Sequence, residues 1–367
     1  MLGALSSLVE KVWLLTSEPL DDLAGLLVDH PKLEIVVLGR RGFQKATFAW
    51  LSKHGDDLDV VHDTMGCFAV YFQSRGPRGG RSNRLVSTLY TNNWGWFHRV
   101  RKRKMDFGWS YVGQRVLTLW RDRRICGNAD RIFVLGPGHE ADIMMAHSVP
   151  ADRVSWIPSE VNTEFFSLRE GPIESTRTVL FTGAICRNKG IDTLLEACRL
   201  LIERHVDFKL RLVGRMLYWE RRWFERACEA ADLGDRIEIT GPLSKDEVLA
   251  EYQGATIFAF PSRFEGSPRS VREAVACGLP AVVTDIPGHR GIDPEGDFLH
   301  FVEGNDPERW ADTLAKALGE TQGQAEKRGR VGADHMRSSH AIEAVAARLL
   351  ESYADVIANP ARATTRP

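Results

Sequence analysis

The sequence predicts an α/β protein built from two doubly wound domains with parallel sheets. Short apolar runs of strand length alternate along the chain with segments of helical periodicity, and no two-residue hairpin turns join consecutive runs. The length of 367 residues exceeds one typical domain and suits two. Such sheets bind ligands at the carboxyl ends of their strands, so the cleft between the domains is the expected site.

The alternation is clearest in the second half of the chain. Residues 179–183, VLFTG, form an apolar run of strand length, and the segment after Asp192 carries apolar residues on one helical face. Further strands are predicted at 209–213, 236–240, 256–260 and 281–284, and helices at 219–231, 246–252 and 269–277.

The first half shows the same alternation less regularly, with strands predicted at 12–16, 34–38, 59–62, 85–89, 131–135 and 154–157. The pattern breaks across 159–175, which we interpret as the linker. A polar stretch at 319–339 precedes a last periodic helix at 342–357. We therefore predict an N-terminal domain at 1–165, a C-terminal domain at 166–340 and a separate last segment at 341–367.

The composition is ordinary for a globular protein, but the charge is unevenly distributed. The net charge of -1 gives no general attraction to nucleic acid. From Arg75 to Arg131, however, fourteen basic residues stand against three acidic ones. No apolar run approaches the roughly 20 residues that a membrane span needs, and Glu10 and Lys11 come too early for a signal-peptide core. A cytoplasmic location is the expectation.

The segment around residue 265 has the features of a phosphate-binding helix. A strand and a loop lead into a helix with Ser267 as its predicted N-cap and Pro268 in its first turn. The start of such a helix presents unpaired N–H groups and partial positive charge. Glu265 precedes these groups and Glu273 follows them, at roughly 12 Å if the stretch is helical. This suits a ligand with hydroxyl groups at both ends and phosphates between, although two solvated glutamates would show the same spacing.

These residues resemble the E-x7-E signature of retaining glycosyltransferases, and most closely that of glycosyltransferase family 4. The signature is Glu265-Gly-Ser-Pro-x4-Glu273-Ala-x-Ala-x-Gly-Leu-Pro, and residues 181–191, FTGAICRNKGI, resemble the diphosphate loop of the family. The resemblance implies the GT-B fold, with two Rossmann-like doubly wound domains facing a central cleft and the last segment crossing back onto the N-terminal domain. It also implies a reaction that retains anomeric configuration and needs neither metal nor cofactor.

The resemblance further implies roles for individual residues. Glu265, Lys189 and Arg187 form the predicted catalytic group, in which Glu265 contacts donor-sugar hydroxyls and Lys189 neutralises the diphosphate. Glu273 binds the ribose diol. Arg187 is the candidate substitute for a family arginine whose place Ala184 takes here. The other predicted donor-binding residues are Gly183, Gly266, Ser267, Pro268, Arg269 and Ser270, with Arg215 and Leu243 near the base.

The acceptor side is predicted from the first half of the chain. His62 ends a predicted strand and is a candidate acid or base. Tyr90 stands where the family commonly has a histidine, and Asn92 and Trp94 follow it. Asp57-Leu-Asp59 resembles a metal-binding D-x-D motif, but it lacks the further oxygen ligands that a divalent ion needs, so we predict no metal site.

Residues 94–109 interleave aromatic residues with cations, and three interpretations stay open for them. They form a contact with an anionic membrane surface, an RNA-binding patch, or a solvated face. Nucleotide-sugar recognition elsewhere in the chain argues against RNA. Lipid-linked acceptors among the relatives favour the membrane, at the inner face of the plasma membrane.

The leading hypothesis is a nucleotide-sugar-dependent hexosyltransferase acting on a hydroxyl acceptor. The expected acceptor is a sugar or a lipid-linked or cell-envelope glycan in polysaccharide biosynthesis, and no nucleic-acid partner is expected. The alternatives are a soluble natural-product or small-sugar acceptor, a GT-B epimerase or phosphorylase, and a non-catalytic membrane-binding module on a degenerate GT-B fold.

Overall fold

The chain folds into two compact units. The computed structural model describes residues 8–16, 32–38, 43–63, 84–89, 122–137, 139–168 and 177–359. The first unit consists of Met1–Pro158 with Ile342–Pro367, and the second is Ser159–Ala341. The predicted boundary after residue 165 is therefore too late. Residues 159–165 belong to the second unit because Val161 bridges to Ala341 and is buried in the core of that unit.

The described strands of the first unit pair in parallel. They are β1 (Val12–Thr16), β2 (Leu33–Val37), β3 (Val60–Asp63), β4 (Arg84–Leu89), β5 (Arg131–Val134) and β6 (Val154–Trp156). The first two pair with each other, and β3 to β6 form a sheet in chain order. The helices are α1 (Phe43–His54), a helical segment at 122–128, and α2 (His139–His147).

The C-terminal helix, Ile342–Ala358, packs on this four-stranded sheet. Its buried face contacts apolar side chains of β4 and β5 and of the residue after β6. Because this interface is apolar on both sides, its burial stabilises the helix on the first unit. The buried residues are Val345, Leu349 and Val356 of the helix and Val86, Phe133 and Ile157 below it.

The second unit is a six-stranded parallel sheet with helices between its strands. The strands are β7 (Thr178–Thr182), β8 (Lys209–Val213), β9 (Ile237–Gly241), β10 (Ile257–Phe260), β11 (Ala281–Thr284) and β12 (Leu299–Val302). The helices are α3 (Ile191–Glu203), α4 (Arg221–Ala231), α5 (Lys245–Gly254), α6 (Arg269–Ala276), α7 (Pro287–Arg290), α8 (Pro307–Leu318) and α9 (Gln322–His335). Every residue of β10 and β11 is buried, as expected for strands covered on both faces.

The strand order of this sheet identifies where a ligand binds. The spatial order is β12-β11-β10-β7-β8-β9, so the chain runs outward from β7 to β9 and then returns to β10 on the other side of β7. The crossovers on the two sides run in opposite directions, which opens a crevice between the loops that follow β7 and β10. Doubly wound sheets bind ligands at this switch point, outside the carboxyl ends of the strands.

Helix α9 lies in the polar stretch 319–339, for which the sequence analysis predicted no helix. Its start carries a capping box between Thr321 and Gln324. Its buried residues are small, and a Cβ on Gly329 would lie 2.1 Å from the carbonyl oxygen of Gly278. Glycine and alanine bring this helix close to its neighbours without producing an apolar period, so the periodicity did not reveal it.

Candidate functional site

An ion pair between Lys189 and Glu265 lies at the switch point. The Lys189 ammonium and the Ser262 hydroxyl both donate to Oε1 of Glu265, the hydroxyl at 2.6 Å. Ser262 is fully buried, whereas the side chains of Lys189 and Glu265 keep 24% and 12% of their surface exposed. The ammonium also lies 5.2 Å from the centre of the Phe260 ring. The pair is held by buried partners and still reaches solvent.

Gly190 allows the loops after β7 and β10 to approach each other. The 3-10 turn Arg187–Lys189 ends at Gly190, which has a φ of 72°. A Cβ at this position would lie 2.0 Å from the carbonyl oxygen of Pro261. Only glycine satisfies both the left-handed conformation and this contact. Lys189 therefore reaches Glu265 because its neighbour has no side chain.

Helix α6 begins just after Glu265, and no side chain caps it. Its N-cap residue is Pro268 rather than Ser267, which corrects the sequence prediction. The Ser267 hydroxyl instead accepts a hydrogen bond from Arg272. The first N–H groups of a helix lack partners within it, and the helix dipole adds partial positive charge. The start of α6 therefore suits an anion. The backbone there is that of Gly266 to Ser270, with the Arg269 side chain exposed.

Helix α7 supports the loop that carries Glu265. A Cβ on Gly288 would lie 2.4 Å from the carbonyl oxygen of Glu265. The neighbouring His289 is fully buried, and its Nδ1 lies 2.6 Å from the carbonyl oxygen of Thr284. Burial lowers the pKa of His289 to about 4, so its ring is neutral at physiological pH. This neutral ring adds no cation to the site.

Glu273 stands at the end of a short hydrogen-bond chain. The Tyr252 hydroxyl donates to Oε2 of Glu273 at 3.1 Å and lies 2.7 Å from the Thr182 hydroxyl at the end of β7. Tyr252 is buried. Burial raises the pKa of the Glu273 carboxyl, while the Tyr252 hydrogen bond and the nearby Arg269 act in the opposite direction. The second glutamate of the motif is thus tied to the same strand that leads to Lys189.

The predicted base-binding residues lie beside the ends of β7 and β8. A Cβ on Gly214 would lie 2.0 Å from the carbonyl oxygen of Gly183, so these two strand ends touch through their backbones. Arg215 is exposed, and its carbonyl oxygen accepts a hydrogen bond from Ile185 at 2.9 Å. Leu243 packs partly buried against the core of the second unit. Of the two residues predicted near the base, Arg215 is therefore the one with an exposed side chain.

Arg187 does not join the Lys189–Glu265 pair. Its Nε donates to Glu220 at 3.0 Å, and its guanidinium lies 5.5 Å from the centre of the Trp223 ring. The Arg187 side chain is 54% exposed. The structure thus directs this arginine toward the start of α4 rather than toward Glu265.

Arg272 is the cation that the sequence analysis missed. It lies on α6 next to Glu273, is only 3% exposed, and donates to the hydroxyl of Ser267. A sequence signal was present, because the apolar residues Val271 and Ala274 to Ala276 stand on both sides of Arg272 in the predicted helix. A charged residue in such a helix is uncommon unless it has a function or a partner.

The predicted acceptor-side residues belong to the first unit. His62 has Nδ1 2.6 Å from the Tyr353 hydroxyl and Nε2 2.5 Å from the Thr88 hydroxyl, and burial lowers its pKa to about 4. Both nitrogens are engaged within the unit, which favours a structural role over acid–base work. The other three predicted acceptor-side residues, Tyr90, Asn92 and Trp94, and the whole basic stretch 94–109, lie outside the described residues.

The described residues contain no cluster of three His, Cys, Asp or Glu side chains that could hold a metal ion. Asp57 and Asp59 fall within this part of the chain. In the same residues, no helix is both long and apolar enough to cross a membrane.

Most of the second unit matches a known sequence family. Residues 176–320 match the family described as glycosyl transferases group 1. The D-inositol 3-phosphate glycosyltransferase of Paenarthrobacter aurescens is 27% identical over 247 residues, or 64% of this chain and 60% of that protein. Its namesake from Corynebacterium urealyticum is 30% identical over 219 residues, 53% of this chain and 51% of the relative. The chain thus spans about half to three-fifths of the length of these curated relatives.

Solved structures match over nearly the whole chain. Sucrose-phosphate synthase from Thermosynechococcus elongatus aligns with a TM-score of 0.74 at 21% identity, covering 97% of this chain and 91% of the other. Anabaena HepE, solved with UDP and glucose, aligns with a TM-score of 0.71 at 14% identity, covering 96% and 95%. The predicted GT-B fold is confirmed. The sequence match of residues 176–320 to group 1 glycosyl transferases supports the resemblance of that segment to glycosyltransferase family 4.

Proposed function

We propose that the protein is a glycosyltransferase that uses a nucleoside-diphosphate sugar as its donor. One observation carries the proposal: the Lys189–Glu265 pair lies at the switch point of a doubly wound sheet, directly before an uncapped helix that bears Glu273. The Lys189 ammonium and the start of the helix suit the diphosphate, Glu265 suits the sugar hydroxyls, and Glu273 suits the ribose diol. The match to group 1 glycosyl transferases covers all of these residues.

The chemistry follows from the charge that develops on the leaving group. The acceptor hydroxyl oxygen forms a bond to the anomeric carbon, the bond from that carbon to the diphosphate oxygen breaks, and the acceptor proton passes to the departing diphosphate. Lys189 and the N–H groups at the start of α6 stabilise this diphosphate, which removes the need for a metal ion. Glu265 accepts hydrogen bonds from the sugar, and Glu273 from the ribose diol. We propose retention of configuration, as the motif resemblance implies.

The acceptor is proposed to be a hydroxyl group of a sugar, free or linked to a lipid. The relatives named D-inositol 3-phosphate glycosyltransferase favour a small polyol acceptor by their names. The basic and aromatic composition of residues 94–109 favours a lipid-linked one. Co-sedimentation with anionic liposomes, compared between the wild type and a variant with residues 101–104 changed to serine, decides between them. Absence of wild-type binding would remove the support for the lipid-linked acceptor.

The donor assignment is tested with a panel of nucleotide sugars analysed by mass spectrometry. We expect one donor to be hydrolysed or its sugar transferred, with activity retained in EDTA, and we expect Glu273→Gln to bind that nucleotide more weakly. Release of a sugar 1-phosphate that depends on added phosphate would instead indicate a phosphorylase, and an isomerised nucleotide sugar an epimerase. A folded wild type that binds no nucleoside diphosphate would refute the proposal and leave the non-catalytic alternative.

A further inference from the structure

Arg272 is a buried cation without an acidic partner. Its side chain is 3% exposed, and its Nε is buried with no hydrogen-bond partner. Lys189 is paired with Glu265 and Arg263 with Asp192, but within the described residues no carboxylate forms an ion pair with Arg272. Burying a charge without a partner is costly. An anion bound beside Arg272 would offset this cost.

The side chain of Arg272 is directed toward the start of α6. Side chains on a helix lean toward its N-terminus, and one guanidinium nitrogen of Arg272 donates to the hydroxyl of Ser267, the residue before the N-cap. The cation therefore lies beside the open N–H groups of the first turn. Two independent features, an uncapped helix start and a buried guanidinium whose Nε has no hydrogen-bond partner, coincide at one place.

Two cations near the predicted diphosphate site already have carboxylate partners. Lys189 is already shared with Glu265, and Arg187 is paired with Glu220. The resemblance to glycosyltransferase family 4 implies an arginine after the glycine of the β7 loop, where this chain has Ala184. A diphosphate carries two or more negative charges, so a further cation beside the shared ammonium and the helix dipole stabilises it. Arg272 supplies a buried cation from the helix rather than from the β7 loop, close in sequence to the exposed Arg269.

We propose that Arg272 is a donor-binding residue that holds the diphosphate at the start of α6, replacing the cation absent at Ala184. This inference rests on the proposed function. When the nucleotide binds, the diphosphate oxygens accept hydrogen bonds from the guanidinium donors beside Ser267. The pKa of Arg272 is lowered to about 10 by burial, so the side chain stays protonated at neutral pH.

The competing explanation is that Arg272 is structural. Glu160, Glu273 and Glu265 all favour its charged form electrostatically, Glu160 the most. If these carboxylates compensate the charge, removing it exposes their repulsion and destabilises the fold. If the charge is kept for a ligand, its removal leaves the stability of the free protein unchanged or increased. Thermal stability and ligand affinity therefore move in different directions under the two explanations.

The experiment compares the wild type with Arg272→Met, Arg272→Lys and Arg211→Met. Arg211 is the matched control, because it is an arginine of the same unit with a carboxylate partner, Glu251, at 2.6 Å. Each protein is titrated calorimetrically with ADP, GDP and UDP and with the corresponding nucleosides, and its melting temperature is measured without ligand. We expect Arg272→Met to bind the preferred diphosphate about 10- to 100-fold more weakly, with unchanged nucleoside affinity and melting temperature. Arg272→Lys is expected to recover part of the loss.

The control separates a lost contact from a damaged fold. Arg211→Met is expected to lower the melting temperature while keeping the diphosphate affinity. Equal weakening of diphosphate and nucleoside binding by Arg272→Met, together with a lower melting temperature, would establish the structural explanation and overturn the proposal. Unchanged diphosphate affinity in Arg272→Met would also overturn it while leaving the proposed function intact. A wild type that binds none of the three diphosphates would overturn both.

Discussion

Replacing Tyr252 with phenylalanine is expected to make nucleotide binding more sensitive to acid. The Tyr252 hydroxyl donates to the Glu273 carboxylate at 3.1 Å. A hydrogen bond to a charged group contributes about 1.5–3 kcal/mol, and one pKa unit corresponds to about 1.36 kcal/mol. Because this bond favours the carboxylate, its loss should raise the pKa of Glu273 further, beyond the increase that burial already causes.

The direction of the pH effect follows from the protonation state that binds the diol. Glu273 accepts hydrogen bonds from the ribose as a carboxylate, so affinity is full above its pKa and is lost as the pH falls through it. Calorimetric titration of the preferred nucleoside diphosphate between about pH 4.5 and 8 measures this midpoint. We expect the midpoint of Tyr252→Phe to lie above that of the wild type. Glu273→Gln should bind weakly with little pH dependence.

A matched control removes a hydroxyl group elsewhere. Tyr353 lies 2.6 Å from His62 in the first unit, so Tyr353→Phe should lower stability without moving the binding midpoint. Identical midpoints in the wild type and Tyr252→Phe would show that the hydrogen bond does not tune Glu273. Persistence of the acid-dependent loss in Glu273→Gln would assign it to a different group.

Three further predictions test other parts of the molecule. Lys189→Ala should slow turnover more than Arg187→Ala, because only Lys189 contacts Glu265, and a larger loss at Arg187 in steady-state assays would reverse this assignment. Gly234→Ala should lower the free energy of unfolding by about 1–2 kcal/mol, because φ of Gly234 is positive but its added Cβ would meet nothing within 4 Å. Gly190→Ala should lower it by more, because its added Cβ would also meet the backbone of Pro261. Equal denaturation midpoints of the two variants would contradict this contact. Because burial lowers the pKa of His62, the protein should lose stability as the pH falls from about 6.5 to about 4, by roughly 3 kcal/mol at most. Urea titrations of His62→Gln should show a weaker loss.

The strands β10 and β11 of the second unit were predictable because they are buried on both faces. β8 and β11 lie at the predicted residues, and β10 begins one residue later than predicted. A strand covered on both sides must be apolar throughout, so its sequence marks it directly. α9 was missed because its buried side is built from glycine and alanine. β12, with two of its four residues only partly buried, gave a weaker apolar signal.

The motif spacing predicts which residues form the candidate site, but not which side chains they contact. The E-x7-E spacing and the glycine before α3 fix where Glu265, Glu273 and Lys189 stand, because backbone geometry determines these positions. Which cation contacts the diphosphate depends on side-chain contacts between elements that are distant in sequence. The spacing of the motif holds no information about these contacts. Arg187 matched the motif by sequence distance, yet Glu220 and Trp223 hold it elsewhere.

Arg272 illustrates what sequence distance cannot express about this site. It stands on the helix that the motif defines, but at a position that the E-x7-E spacing leaves unspecified. Its burial and its bond to Ser267 appear only once α6 is packed against the sheet. Electrostatic stabilisation of an anion depends on its distance from the cation and not on which element carries that cation. A cation on the helix can therefore take the place of one on the β7 loop. The absence of arginine at Ala184 is therefore compatible with a complete diphosphate site.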